Sequence, residues 1–246
     1  MKNILIIGAT STIAESVAKL WAAEGNAFYL VARCEERLTK IATDLKVRGA
    51  GQIKTNILDL NDFSKHLPLI EDVYAHLGNI DIALIAHGIL GDQRQGELHF
   101  EDALKTINTN ALSIISLLTN LSNCMIERRH GHIAVIGSVA GDRGRISNYI
   151  YGASKAMLEA FCSGLRARLC KHQVNLLFIK PGFVATAMTA HLTLPSYLVA
   201  SAECVAKDIY SAVAKKKDHI YTPWFWAGIM FLVRRIPTKF FKKISI

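Results

Sequence analysis

The chain contains no Cys-x-x-Cys pair, and its five cysteines, Cys34, Cys124, Cys162, Cys170 and Cys204, are scattered and odd in number. That excludes a disulfide framework or a zinc ribbon and points to a reducing cytoplasm. The histidines form no His-Glu-x-x-His or comparable ligand spacing, so no metal is expected. No apolar run approaches the roughly 20 residues that cross a bilayer. Lys2 followed by Ile4-Leu5-Ile6-Ile7 imitates a signal peptide, but the run stops at Gly8. An apolar leader core needs about 7–15 residues, so this segment reads as a first buried strand. Repeats, low-complexity stretches and linkers are also missing from the 246 residues, which fit one large α/β domain.

What is present is a large apolar complement, 51% of residues against 20% charged, enough for a substantial core and too much for disorder. The net charge of +9 invites a nucleic-acid reading. The cations are spread along the chain, however, with no aromatic–basic motif, and no nucleic-acid partner is expected. The excess collects in Lys215-Lys216-Lys217 and between Arg234 and Lys243.

Short apolar runs alternate with helix-length segments: Ile4–Ile7, Ala27–Ala32, Gln52–Asn56, Ile80–Ala86, His132–Ile136, Val174–Ile179 and Ile220–Thr222. Strands of this kind are buried on both faces, which requires a parallel sheet between helical layers. The expected fold is one doubly wound α/β domain of Rossmann type over residues 1–222, with a C-terminal apolar and basic appendage over 223–246. One helix starts near Asn148 and carries Leu158, Phe161, Leu165 and Leu169 as a single apolar stripe.

On that helix Tyr151 and Lys155 stand four residues apart and share a face. An ammonium held beside a phenol favours phenolate, so the spacing predicts a Tyr151 pKa below its ordinary value of about 10. A tyrosine tuned in that way can exchange a proton with an alcohol or carbonyl oxygen. Between the first strand and the next helix lies Gly8-Ala9-Thr10-Ser11-Thr12-Ile13-Ala14, a small-residue turn. Such a turn lets backbone N–H groups and a helix N-terminus meet a pyrophosphate, although an ordinary strand–helix loop reads the same way. The second strand ends at Ala32-Arg33, without the carboxylate that would accept an NAD ribose hydroxyl. Arg33 there favours the 2′-phosphate of NADP, the alternative being a solvated surface arginine. Asp59, after the third strand, is placed either to receive an adenine amine or to cap a helix.

As a set, the Gly8 turn, Asp59, Asn110, Gly137-Ser138, Tyr151-x-x-x-Lys155 and Pro181-Gly182-x-x-x-Thr186 resemble the short-chain dehydrogenase/reductase family across nearly the whole chain. The resemblance implies catalytic Asn110, Ser138, Tyr151 and Lys155, with Asn108 competing for the first role. It implies cofactor contacts from Gly8, Thr10, Ser11, Thr12, Ile13, Arg33, Asp59, Leu60, Ala86, His87, Gly88, Tyr151, Lys155, Pro181, Gly182, Val184 and Thr186. Thr186 would hold the nicotinamide carboxamide or the pyrophosphate. Two departures stand out. Ile85-Ala86-His87-Gly88 replaces the usual Asn-Asn-Ala-Gly, and Thr12 and Ala14 occupy two of the three glycine places. His87 reads as a loop or cofactor-edge residue rather than a new catalyst. These departures, with Gly88-Ile89-Leu90-Gly91-Asp92-Gln93 and Tyr221-Thr222-Pro223-Trp224, are similar to the decaprenylphosphoryl-2-keto-erythropentose reductase branch of that family.

The resemblance therefore implies an NADP(H)-dependent carbonyl reductase or alcohol dehydrogenase, with a keto-sugar on a polyprenyl phosphate as one substrate. A steroid, retinoid or acyl-chain oxidoreductase of the same fold and a non-catalytic NADPH-binding scaffold are the alternatives. Related enzymes pair through the helix that carries Ala156, Ala160, Gly164 and Ala167, which implies a homodimer or homotetramer. The tail Pro223–Val233 is an apolar run of eleven residues with tryptophans at its start and cations after it. It reads as a segment at the inner face of a membrane, a lid over the substrate cleft or a subunit contact. The loop from Met188 to Val199 has no legible chemical code for the substrate.

Overall fold

The computed structural model describes residues 1–190 and 192–243. His191, inside the 188–199 loop, and the last three residues of the 223–246 tail lie outside the described residues. Alternating strands and helices run β1 (Asn3–Ile7), α1 (Thr12–Ala22), β2 (Ala27–Ala32), α2 (Glu35–Val47), β3 (Ile53–Ile57), α3 (His66–Leu77) and β4 (Ile82–Ile85). The second half follows as α4 (Gln93–Leu98), α5 (Phe100–Ile107), α6 (Ser113–Arg128), β5 (His132–Ile136), α7 (Tyr149–Cys170) and β6 (Asn175–Pro181). A short pair, β7 (Phe183–Val184) and β8 (Val199–Ala200), then brackets the loop, before α8 (Ala202–Ala214), β9 (His219–Thr222), α9 (Trp226–Arg235) and α10 (Thr238–Phe241).

Seven strands form one parallel sheet in the order β3-β2-β1-β4-β5-β6-β9. All seven expected strands are present. The period-2 geometry of a strand sends Ile4 and Ile6 to one face and Leu5 and Ile7 to the other. On the first face they meet α1, α2 and α8, and on the second α3, α6 and α7. Burial on both sides is why the strands read as unbroken apolar runs. Chain order reverses between β1 and β4, and in doubly wound sheets the crevice at that point is where ligands bind.

The predicted helix is α7, and its buried face carries Lys155, Leu158, Cys162, Leu165 and Leu169. A lysine thus sits on the apolar stripe, one turn after Tyr151. The tail does not stand clear of the fold. Trp226 and Met230 are buried with Val139 in a third small core, against Phe183, Tyr221 and Phe225. Gly182 makes this possible, since an added Cβ would lie 1.8 Å from the Trp226 indole nitrogen. Arg143 fastens the far end of α9 by donating to the Val233 and Ile236 carbonyls, each at 2.6 Å. Trp224, Phe231, Leu232 and Phe240 remain exposed. Among the described residues no helix is long and apolar enough to cross a membrane.

Candidate active site

The carboxyl ends of the strands open onto a cavity of about 360 Å³, a size within the roughly 300–1,000 Å³ of small-ligand sites. Gly8, Thr10, Ser11, Thr12 and Ile13 line it from the β1–α1 turn. Gly8 has φ +83°, and a Cβ there would lie 2.5 Å from the His87 backbone nitrogen, so the turn closes only with glycine. Thr12, in a usual glycine place, is the first residue of α1 and lines the cavity. Ser11 precedes it without a side-chain capping bond, which leaves the helix N-terminus open toward an anion.

Arg33 is exposed on the cavity wall after β2, and Arg37, one turn into α2, joins it there while donating to the Thr10 carbonyl at 2.7 Å. Asp59 and Leu60 line the wall after β3. Asp59 accepts from the Asn61 N–H at 3.0 Å, a local turn rather than a helix cap. Ala86, His87 and Gly88 follow β4, and Pro181, Gly182, Val184 and Thr186 close the opposite side. The His87 imidazole is turned inward to the Ser113 hydroxyl at 2.8 Å, and burial and then the Lys155 charge push its pKa down to about 3. It stays neutral at any ordinary pH.

Ser138, Tyr151 and Lys155 line the same cavity from the end of β5 and from α7. The Ser138 hydroxyl accepts from the Ala140 N–H at 3.1 Å and stands near enough to the Tyr151 phenol to act on its pKa. The Lys155 ammonium lies 5.6 Å from the centre of the Tyr151 ring and 3.4 Å from the Ile136 carbonyl. Burial lowers its pKa to about 8, so it can release a proton near neutral pH. The expected lowering of the Tyr151 pKa is corrected. Burial raises it, opposed by the Ser138 hydroxyl and by the charge of Arg145, not of Lys155. Asn110 is off the cavity, and so is its competitor Asn108, which lines a separate depression. Asn110 is fully buried in a π-helical turn over 108–112, where its Oδ1 accepts from the Ile89 N–H at 2.8 Å and its Nδ2 donates to the Ile89 carbonyl at 2.7 Å. Its side chain thus braces the wall behind Gly88.

Beneath Ser138 lies a buried ion cluster. Lys180 donates to Asp142 at 2.7 Å and pairs with Glu159, while Tyr221 donates to Asp142 at 2.7 Å. Among the described residues no group of three or more His, Cys, Asp or Glu is placed to hold a metal.

Residues 2–195 match the sequence profile described as short chain dehydrogenase. The chain belongs to that family. An uncharacterized oxidoreductase of Mycobacterium tuberculosis is 36% identical over 95% of this chain and 93% of the relative. A fatty acyl-CoA reductase of Acinetobacter baylyi is 31% identical over 90% and 76%. The alcohol dehydrogenase of Thermococcus sibiricus, solved with 5-hydroxy-NADP, superposes with a TM-score of 0.81 at 22% identity, covering 90% of this chain and 95% of that one. The last likeness fixes the fold.

This short-chain dehydrogenase also carries pocket residues that sequence reading missed: Arg37, Arg145, Asn148, Phe183 and Leu192. Arg37 was detectable as the residue one turn beyond Arg33, and Asn148 as the residue before α7. Arg145, in an irregular stretch, had no signal.

Three histidines bear on the acid stability of the fold, His66 and His132 being buried and His87 having one ring nitrogen shut off from solvent. His87 is pushed down to about 3 and His132 to about 4, both chiefly by burial, and His66 moves in the same direction. The unfolded chain takes up these protons near pH 6.5, while the folded chain refuses them. Their contribution is therefore full above pH 6.5 and falls away as pH drops toward 4. Carboxylates with lowered values act only below about pH 4.5, so the window from pH 6.5 to 5 belongs to histidine. In urea titrations across that window, the His87→Gln/His132→Gln variant should lose stability less steeply than wild type. Equal slopes would show that neither imidazole is held neutral.

Proposed function

We propose that this oxidoreductase is an NADP(H)-dependent carbonyl reductase or, in reverse, an alcohol dehydrogenase. The observation that carries the reading is the convergence of Ser138, Tyr151 and Lys155 on one cavity that also holds the Gly8 turn and Arg33. The residues present fit a dinucleotide. The glycine-closed turn and the open N-terminus of α1 suit a pyrophosphate, and Arg33 with Arg37 suits a 2′-phosphate where an NAD enzyme would place an acid. A nicotinamide held there would supply a hydride to the carbonyl carbon. The Tyr151 phenol gives its proton to the carbonyl oxygen, and Ser138 donates a hydrogen bond to the same oxygen. Lys155, with its pKa near 8, returns a proton to Tyr151 and would hold a ribose hydroxyl of the cofactor. The raised pKa of Tyr151 keeps the phenol protonated as a donor, the form that reduction requires. Preorganised donors at the developing alkoxide account for most of the acceleration in such a site. Asn110, through its grip on Ile89, positions this wall. The acyl-chain alternative is supported by the likeness to the Acinetobacter baylyi enzyme.

The same reading includes a lipid-linked substrate, such as a keto-sugar on a polyprenyl phosphate, met at an anionic membrane surface. Its support is the exposed Trp224, Phe231, Leu232 and Phe240 beside Arg234, Arg235, Lys239, Lys242 and Lys243, with no acidic residue from Pro223 onward. Apolar side chains among cations suit the boundary between acyl chains and anionic headgroups. Exposed Ala160, Gly164 and Ala167 on α7 are the surface through which copies would pair.

Tyr151→Phe should cut turnover at least about a hundredfold while NADPH affinity, read by fluorescence titration, stays within a few-fold. Near-normal turnover would remove Tyr151 as proton donor. Arg33→Ala should weaken NADPH by roughly ten- to a hundredfold, the worth of a charge-assisted contact, and leave NADH nearly unchanged. Equal losses for both would make Arg33 structural. The full chain should float with phosphatidylglycerol vesicles at low salt, and Trp224→Ser/Phe231→Ser/Leu232→Ser should abolish this. Wild-type protein that ignores such vesicles would leave the tail as a pocket wall or subunit contact.

A further inference from the structure

Arg145 stands six residues before Tyr151 and lines the same cavity. Its Nε is enclosed and has no hydrogen-bond partner. Asp142, the acid whose charge reaches it, is already committed to Lys180 and Tyr221, at 2.7 Å each. Asn148 lines the cavity three residues on, and its Oδ1 is enclosed and unpartnered too. Although Asn148 precedes α7, its side chain makes no capping bond. An arginine N–H and an amide oxygen are therefore shielded from water without a hydrogen-bond partner, the first lacking an acceptor and the second a donor. Each is costly in that condition unless something else supplies the missing bonds.

The charge balance of the cavity indicates what that is. Four cations line it, Arg33, Arg37, Arg145 and Lys155, against the single carboxylate of Asp59. Arg33 and Arg37 lie by the β1–α1 turn, where Arg37 holds the Thr10 carbonyl. Arg145 is at the other end, close enough for its charge to act on Tyr151. Among the described residues Arg145 forms no ion pair, and the charge of Asp142 reaches it only from the Lys180 cluster. A planar guanidinium is moreover shaped for two parallel bonds to a carboxylate or phosphate.

We infer that Arg145 binds an oxyanion carried by the substrate close to its carbonyl group, a carboxylate or a phosphate ester. This deepens the carbonyl-reductase reading and rests on it. The oxyanion can belong to a small keto acid or sugar phosphate, or to a phosphate bearing a lipid chain, and the two sources are separable.

The test is calorimetric titration of the full chain after saturation with NADP⁺, using inorganic phosphate, cyclohexanecarboxylate and octyl phosphate as probes. At least one should bind with a millimolar or tighter Kd. Arg145→Gln should weaken that binding tenfold or more, Arg145→Lys should restore part of it, and NADP⁺ affinity should stay within twofold. The Tm of Arg145→Gln should not fall, because its Nε has no partner and the side chain forms no ion pair among the described residues. Octyl phosphate binding well above inorganic phosphate would assign the lipid source, and similar affinities would assign the small one. No oxyanion binding to the NADP⁺-saturated wild type, equal binding by Arg145→Gln, or a matching loss of NADP⁺ affinity in Arg145→Gln would each overturn the inference. Wild-type protein that fails to bind NADP⁺ in the first titration would instead sink the reductase reading itself.

Discussion

The buried pair between Lys180 and Asp142 is the joint on which the site depends. Their side chains are 6% and 1% exposed, and Glu159 and Tyr221 complete the cluster. Lys180 belongs to β6, Asp142 to the turn after Ser138, Glu159 to α7 and Tyr221 to β9. One ionic knot therefore ties the serine turn to the helix that carries Tyr151 and Lys155. Removing one partner of such a pair leaves an uncompensated charge and costs about 3–5 kcal/mol. The position of Ser138 relative to Tyr151 is thus set by a bond that neither residue makes.

Above that joint, the electrostatics of the cavity run one way. The sheet's carboxyl edge collects the open N-terminus of α1, two arginines after β2, Arg145 and the buried Lys155. Burial works on these groups in a useful direction. It pulls Lys155 toward neutrality so that it can pass a proton, and it keeps Tyr151 protonated. His87, which replaces a smaller residue of the usual family motif, adds no charge, since its imidazole is held neutral against Ser113.

The tail joins this arrangement through the small core around Trp226 and through Arg143. Trp226 lies against Gly182, so α9 forms the outside of the wall whose inside faces the cavity. Its other side presents Phe231 and Leu232 to the surroundings, with Arg235 stacked 3.5 Å from the Phe231 ring centre. An apolar run of eleven residues was too short to span a membrane and too apolar to be wholly exposed. The structure resolves this by burying one face and leaving the other.

The sequence by itself determined the parallel sheet, because strands buried on both faces must read as short apolar runs separated by helix-length segments. It also placed nearly every expected pocket residue, since in a doubly wound fold the chain leaving each strand's carboxyl end meets at one crevice. Gly8, Arg33, Asp59, Ser138 and Pro181 are all such strand-end residues. Tertiary structure decided what depends on distant partners. It turned the Asn110 amide onto Ile89, raised rather than lowered the Tyr151 pKa, and brought Arg145 into the cavity that Tyr151 lines. It also split the tail between core and surface. Periodicity along a chain encodes which face is buried. Desolvation, and the charges brought near by packing, exist only once separate segments have met.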